Sequence, residues 1–467
     1  MFLKKIWNMS SRTSMDLYAL QRRNLSTSSR SVMDTAIKDG ELRIFIVAGE
    51  VSGDSIGSRL MLALKKLAPV PVSFSGVGGS MMSQQGLKSL FPIEDISVMG
   101  IWELLPHIYK FGVKLKEIEE AALLFRPHVV VTVDSKGFSF RLLRQLRSRY
   151  GHQNLTGPVP VHFHYVSPSF WAWKGGEARL QNLTTFVDHI LCILPNEEAV
   201  CRLNGLAATF VGHPIVEDCL ELNLGKETAP CGLKIEGNCE DFQNKYAIPS
   251  GATVISLLPG SRLQEVTRML PIFSNTMEQL KDSFPELMTI IHVAPNQYVE
   301  NYITRHIHKW PVPSILVHGG SSHLKYDAFS ASRVALCTSG TVAVELQLAR
   351  LPCVVAYRAH FLTEWFIRYK AKIPYISLPN ILLDLPIIPE ALLEACTPDM
   401  LASLLIDLIR NESLQEEQII AANKVIRLLY PSERTAKISE KQDVKLTFPG
   451  YTPSMIAAST ILGYVKP

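Results

Sequence analysis

Arg43-Ile44-Phe45-Ile46-Val47-Ala48-Gly49-Glu50-Val51-Ser52-Gly53-Asp54 is the stretch on which the reading of the fold turns. Five consecutive apolar residues show no in-out alternation, and a glycine-bearing turn then gives way to helical spacing over residues 56–67. A strand buried on both faces and followed directly by a helix is the opening of a parallel βα unit. Further buried-strand patterns follow at residues 72–77, 129–133, 161–166 and 189–194, with helical patterns at 110–124 and 140–149 between them. A second series opens at Thr253-Val254-Ile255-Ser256-Leu257-Leu258 and continues through residues 288–293, 314–317, 334–337 and 352–356.

The expected fold class is therefore α/β, with two doubly wound parallel sheets. Its expected parts are a first domain over residues 41–221, a linker or surface insertion at 222–243, a second domain over 244–375, and C-terminal helices over 376–467 interrupted by a polar insertion at 431–450. Two such domains facing across a cleft would present the carboxyl ends of their strands to it, where open α/β sheets bind ligands.

Composition agrees with this. The 467 residues exceed the ~150 to 250 of one domain, and 47% apolar against 19% charged residues supports large cores. No window reaches the ~18 consecutive apolar residues of a membrane-spanning helix. The net charge of +4 resides wholly in residues 1–40, which hold seven Lys/Arg against three Asp. The remaining body is neutral, so nothing points to nucleic acid. The eight cysteines form no CxxC pair, which fits neither a zinc site nor a disulfide scaffold and favours a reducing compartment.

Residues 1–33 carry Lys4, Lys5, Arg12, Arg22, Arg23 and Arg30, many Ser and Thr, and one acid, Asp16. They read as a mitochondrial transit peptide, the alternative being a disordered basic tail of a cytosolic protein, and residues 1–40 are expected to be disordered and outside the fold.

Several motifs follow strands. Ser339-Gly340-Thr341 comes after one strand and opens a helical run, where backbone amides suit a diphosphate, and Glu345 lies one turn on, placed to accept both hydroxyls of a ribose. Pro259-Gly260-Ser261-Arg262 occupies the equivalent turn of the first strand in that half, and an arginine there can hold a departing diphosphate. Asp134, just past residues 129–133, is a candidate general base. Taken alone, each also reads as an ordinary helix cap.

The Gly49 to Asp54 turn lacks the GxGxxG spacing, which argues against a nicotinamide dehydrogenase. His162 and His164 share a strand face, yet no third ligand has metal-site spacing. Pro168-Ser169-Phe170-Trp171-Ala172-Trp173-Lys174 sets two indoles beside a cation, which suits a sugar or acyl chain next to a phosphate. Residues 98–108 and 361–373 are apolar enough to lie on a bilayer surface, or to be core.

Taken together and in order, VAGEVSGD, VMGIWELLPHI, HYVSPSFWAW, LPGSR, SGTVAVE and SLPNILL resemble the lipid-A-disaccharide synthases, over about residues 43–430. The resemblance implies two Rossmann-like domains of the GT-B type and an inverting, membrane-associated glycosyltransferase that uses neither metal nor cofactor. It further implies transfer from UDP-2,3-diacylglucosamine to 2,3-diacylglucosamine 1-phosphate, with release of UDP, and it admits a homodimer.

By the same resemblance Asp134 and Arg262 are the catalytic pair. Gly260, Ser261, Arg262, Ser339, Gly340, Thr341, Glu345 and Asn380 are expected on the UDP-sugar side. Glu50, Ser52, Asp54, Ser167, Trp171, Trp173 and Lys174 are expected on the acceptor and lipid side. One departure stands out: Asp134-Ser135-Lys136-Gly137-Phe138 lacks the second acid of the family's DxPDF and gains a cation, making Lys136 a candidate phosphate contact. A UDP-sugar epimerase or hydrolase on the same scaffold, and a catalytically silent nucleotide-sugar or lipid binder, are the alternatives.

Overall fold

Leu42–Ala48 (β1) is buried along almost its whole length, as its unbroken apolar sequence requires, and it pairs in parallel on both sides. A computed structural model describes residues 31–96, 108–152, 159–222, 233–338, 340–359, 369–431 and 452–465. The chain divides into two compact units, residues 1–214 with 429–467, and residues 215–428.

In the first unit a seven-stranded sheet contains β1, Val72–Val77 (β2), Lys88–Ser89 (β3), Val129–Val133 (β4), Val161–Tyr165 (β5), His189–Cys192 (β6) and Ala208–Phe210 (β7). Their order across the sheet is β3-β2-β1-β4-β5-β6-β7, and every pairing is parallel. Order reverses between β1 and β4, so the chain winds away from that line in both directions.

The helix Val51–Leu67 shows the spacing that makes it amphipathic: Gly53, Gly57, Leu60, Met61 and Leu64 are buried on one side. Against it packs the C-terminal helix Pro453–Leu462, whose Ile456, Ala457 and Ile461 join the core under β1. Each large side chain withdrawn from water in this way contributes roughly 1.5–3 kcal/mol.

The second unit holds a six-stranded parallel sheet of Thr253–Leu258 (β8), Leu287–Val293 (β9), Ser314–His318 (β10), Val334–Thr338 (β11), Cys353–Tyr357 (β12) and Glu390–Leu392 (β13). The order is β10-β9-β8-β11-β12-β13, again with a reversal, here between β8 and β11. The helices Leu263–Leu280 and Pro398–Arg410 pack together beneath it through Val266, Met269, Phe273, Leu401 and Leu405.

Three expectations about organisation need correcting. Residues 1–40 are not structureless throughout, because Ser31 caps a helix Val32–Asp39 that buries Val32 and Ala36, and Val32 N–H donates to the Tyr464 carbonyl at 3.1 Å. The stretch 222–243 is not a linker over its described part: Leu233 and Ile235 are buried, and Cys239–Lys245 is a helix anchored by Phe242 in the second unit. The second sheet does not end at residue 375 but gains β13, and the chain after residue 428 returns to the first unit. The polar insertion at 431–450 lies outside the described residues from 432 onward, as do residues 98–107 and 361–368 of the two apolar segments.

Candidate active site

Ala48 and Val133 are register partners at the carboxyl ends of β1 and β4, and the turns that leave them meet. Gly49 is required at this meeting, since a Cβ there would fall 2.3 Å from Ser135 Cβ. Asp134 (φ 53°) and Ser135 (φ 44°) are both left-handed, a strained conformation for two successive residues with side chains. Hydrogen bonds hold it: Asp134 N–H donates to the Tyr165 carbonyl at 2.9 Å, and Ser139 Oγ donates to the Asp134 carbonyl at 2.7 Å.

Asp134 Oδ1 accepts the Ser135 amide at 2.8 Å. The half-buried carboxylate has no ion pair among the described residues, so the backbone alone fixes its position. Glu50 is half-buried and Ser52 exposed on the adjoining turn.

The second unit repeats this arrangement. Leu258 and Cys337 are register partners near the ends of β8 and β11, so the turns Pro259–Arg262 and Gly340–Thr341 leave neighbouring strands at the reversal of strand order. Gly260 (φ 120°) and Gly340 (φ 144°) take backbone values that side chains oppose. Arg262 is the N-cap of the helix Leu263–Leu280, is exposed, and has no carboxylate partner among the described residues. Ser261 and Thr341 are exposed beside it on the two turns, and Ser339 lies outside the described residues. Glu345, one turn into Val342–Ala349, is half-buried and takes an ion pair from Lys325 Nζ at 2.8 Å. Turns of this kind at helix starts direct amides and a guanidinium toward an anion.

Two residues expected to bind ligand are committed elsewhere. Asp54 is 5% exposed and accepts the amides of Gly79, Met81 and Met82 at 2.8–3.0 Å, which caps the short helix Ser80–Gln84. Asn380 is fully buried, donates to the Ile388 carbonyl and to Glu390, and accepts from Ile388 N–H, so its amide braces the turn before β13. His164 is likewise internal: its Nδ1 lies 2.8 Å from Thr132 Oγ1, and burial holds the imidazole down at about 3, hence neutral. No cluster able to hold a metal ion occurs among the described residues.

Beyond β5, buried Ser167 has its Oγ 3.7 Å from Cys201 Sγ. The half-buried Trp171 donates from its indole to Glu197 at 3.4 Å, while Trp173 is half-buried and Lys174 exposed.

A family model described as lipid-A-disaccharide synthetase matches residues 44–444. The chain belongs to the lipid-A-disaccharide synthase family. Among relatives, a probable mitochondrial lipid-A-disaccharide synthase of Arabidopsis thaliana is 64% identical over 439 residues, covering 94% of each chain. A lipid-A-disaccharide synthase of Rhodospirillum centenum is 41% identical, covering 85% of this chain and 93% of its own.

Solved structures share the fold at low identity. A UDP-GlcNAc 2-epimerase from Neisseria meningitidis, solved with UDP-GlcNAc, gives a TM-score of 0.56 at 11% identity over 86% of this chain and all of its own. The kitacinnamycin glycotransferase gives 0.51 at 15%, over 85% and 98%. The two-sheet α/β architecture is thus that of GT-B glycosyltransferases and epimerases, and the family places this chain among the glycosyltransferases of lipid A biosynthesis.

Sequence reading missed two residues that are bonded to expected site residues. Glu197, at the start of the helix Pro195–Leu203, is 2% exposed and joins Trp171 to the Leu194 amide. Burial pushes its carboxyl up to about 8, against the hydrogen bonds from Leu194 and Trp171 that lower it. Lys325, from the helix Ser322–Ser330, was equally invisible, because its partnership with Glu345 spans two helices. No helix among the described residues is long and apolar enough to cross a membrane.

Proposed function

We propose that the chain transfers the diacylglucosamine of UDP-2,3-diacylglucosamine to 2,3-diacylglucosamine 1-phosphate, giving the β-linked disaccharide 1-phosphate and UDP. In this reading the second unit takes the nucleotide sugar. The amides at the starts of its two helices and Arg262 receive the diphosphate, and Glu345 receives the ribose. The first unit takes the acceptor through the Gly49 to Ser52 turn and the loop carrying Trp171, Trp173 and Lys174.

The acceptor hydroxyl oxygen attacks the donor's anomeric carbon from the face opposite the diphosphate. Its proton passes to Asp134, the bond between sugar and diphosphate breaks, and the electron pair leaves with UDP. Inversion at that carbon gives the β link. Arg262 steadies the growing charge, an effect worth ~3–4 kcal/mol when a single well-placed donor is removed from comparable sites.

The observation that carries the reading is the position of Asp134: a carboxylate held at the β1/β4 reversal by backbone hydrogen bonds, with no ion-pair partner among the described residues. We place the enzyme in mitochondria, on the matrix side of the inner membrane, in keeping with its basic leader and its apolar segments.

The test uses residues 31–467, which keep the helix at 32–39, incubated with both acylated sugars. Equal amounts of UDP and disaccharide are expected. UDP without disaccharide would instead mark a hydrolase, an epimerised nucleotide sugar an epimerase, and binding without any product a silent descendant.

A further inference from the structure

Phe170 sits in the 3-10 turn Ser169–Ala172, between β5 and the helix Gly176–Leu183. Two cations converge on its ring from different elements. Lys136 Nζ lies 5.7 Å from the ring centroid and the Arg179 guanidinium carbon 5.6 Å from it. Lys136 is the first residue of the helix Lys136–His152, two positions after Asp134, and Arg179 is one turn into its own helix.

The convergence is built rather than incidental. A Cβ on Gly176 would fall 1.8 Å from the Phe170 carbonyl oxygen, so only glycine lets the helix start press against the Phe170 backbone and bring Arg179 over the ring. Phe170 in turn packs on Phe140, whose ring meets buried His164 at a tilt of 57° with centroids 4.6 Å apart.

Both cations are exposed. Elsewhere on the helix Lys136–His152, Arg147 and Arg149 are matched with Asp188 and Glu119. Lys136 and Arg179 have no such carboxylate among the described residues. Two cations drawn to one aromatic ring without an acid leave uncompensated positive charge around it, which an anion carrying more than one negative charge neutralises. A ring beside them shields that anion from water on one side and leaves apolar surface for the rest of the ligand.

Resting on the function proposed above, we infer that Lys136 and Arg179 form a phosphate subsite that holds the phosphate monoester of the acceptor. Its Lys136 opens the helix that starts two residues past the candidate base, which ties recognition of that group to delivery of the hydroxyl. The cation at position 136, where the family's DxPDF has none, thereby acquires a role in acceptor selection.

The test compares kcat/KM for 2,3-diacylglucosamine 1-phosphate and for 2,3-diacylglucosamine lacking the phosphate, with residues 31–467 as wild type, Lys136→Met, Arg179→Met and the double variant. Arg141→Met, which removes a cation of the same helix stacked on Phe111, serves as control. The preference for the phosphorylated acceptor should fall about tenfold for each single variant and about a hundredfold for the double, and remain in the control. A preference intact in the double variant overturns the subsite. So does a double variant that keeps the preference and loses only its binding to vesicles containing anionic phospholipid. Should the wild type join neither acceptor, the transferase reading fails by itself. Calorimetric binding of the phosphorylated acceptor, lost in the double variant, would still support the subsite, and binding retained there would overturn it.

Discussion

The ammonium of Lys325 stands 2.8 Å from a carboxylate oxygen of Glu345, joining two helices at the carboxyl edge of the second sheet. A half-exposed pair of this kind is worth only about 0–1 kcal/mol to the fold, so its value should show in ligand recognition. Glu345→Gln is expected to abolish any preference for UDP over 2′-deoxy-UDP in calorimetry. Lys325→Met should reduce that preference several-fold while the melting temperature stays within about 3 °C. An unchanged preference in both variants would remove the ribose from this carboxylate.

Gly49 and Ser135 make a second, steric prediction. The added methyl of Gly49→Ala meets Ser135 Cβ at 2.3 Å, and overpacking of this sort costs about 1–3 kcal/mol. It should also push aside the turn that aims Asp134, lowering both melting temperature and turnover. Adding Ser135→Gly clears the space and suits the left-handed backbone at that position, so the double variant should recover most of both losses. A double variant as impaired as Gly49→Ala would show that this contact does not set the turn.

Glu197 predicts a pH dependence of stability. Burial lifts its carboxyl from an ordinary 4.5 to about 8, so between those values the folded chain keeps a proton that the unfolded chain has released. The resulting stability is complete below pH 4.5, declines as pH rises, and is lost above about pH 8, a span on the order of a few kcal/mol. Glu197→Gln cannot titrate. Urea unfolding from pH 5 to 9 should therefore show wild type losing stability relative to the variant as pH increases. Parallel profiles would mean that Glu197 is ionised in the folded protein.

The N-terminal boundary makes a fourth prediction. Ser31 bridges to Val465 and the helix Val32–Asp39 shares a core with Pro453–Leu462, so a chain beginning at residue 41 exposes that core. It should be about 2 kcal/mol less stable than one beginning at residue 31, judged from the buried Val32 and Ala36 and measured by urea unfolding. Equal stability would leave the helix without a packing role.

The long central strands were legible because strands buried on both faces write themselves as unbroken apolar runs, as in residues 44–48 and 129–133. The short strands β3, β7 and β13 contain two or three residues, too few for any period to register. The helix at 32–39 was masked by basic leader chemistry nearby and is held by residues more than 400 positions away. The same distance problem decided the site. Asp134, Arg262 and Glu345 lie where strand ends and helix starts are readable locally. The commitments of Asp54 to Gly79 and of Asn380 to Glu390, and the links from Glu197 to Trp171 and from Lys325 to Glu345, depend on contacts that no local pattern records.

The measurement that bears most directly on the chemistry is steady-state transfer by Asp134→Asn beside Arg262→Ala, with UDP binding measured on both. Asparagine keeps the Oδ1 acceptor for the Ser135 amide and tolerates the left-handed backbone. The Asp134 variant should therefore fold, bind UDP like wild type, and turn over ~10²-fold or more slowly. Arg262→Ala should lose both UDP affinity and transfer. Transfer within about twofold of wild type by the Asp134 variant, or undiminished UDP binding by the Arg262 variant, would contradict the account.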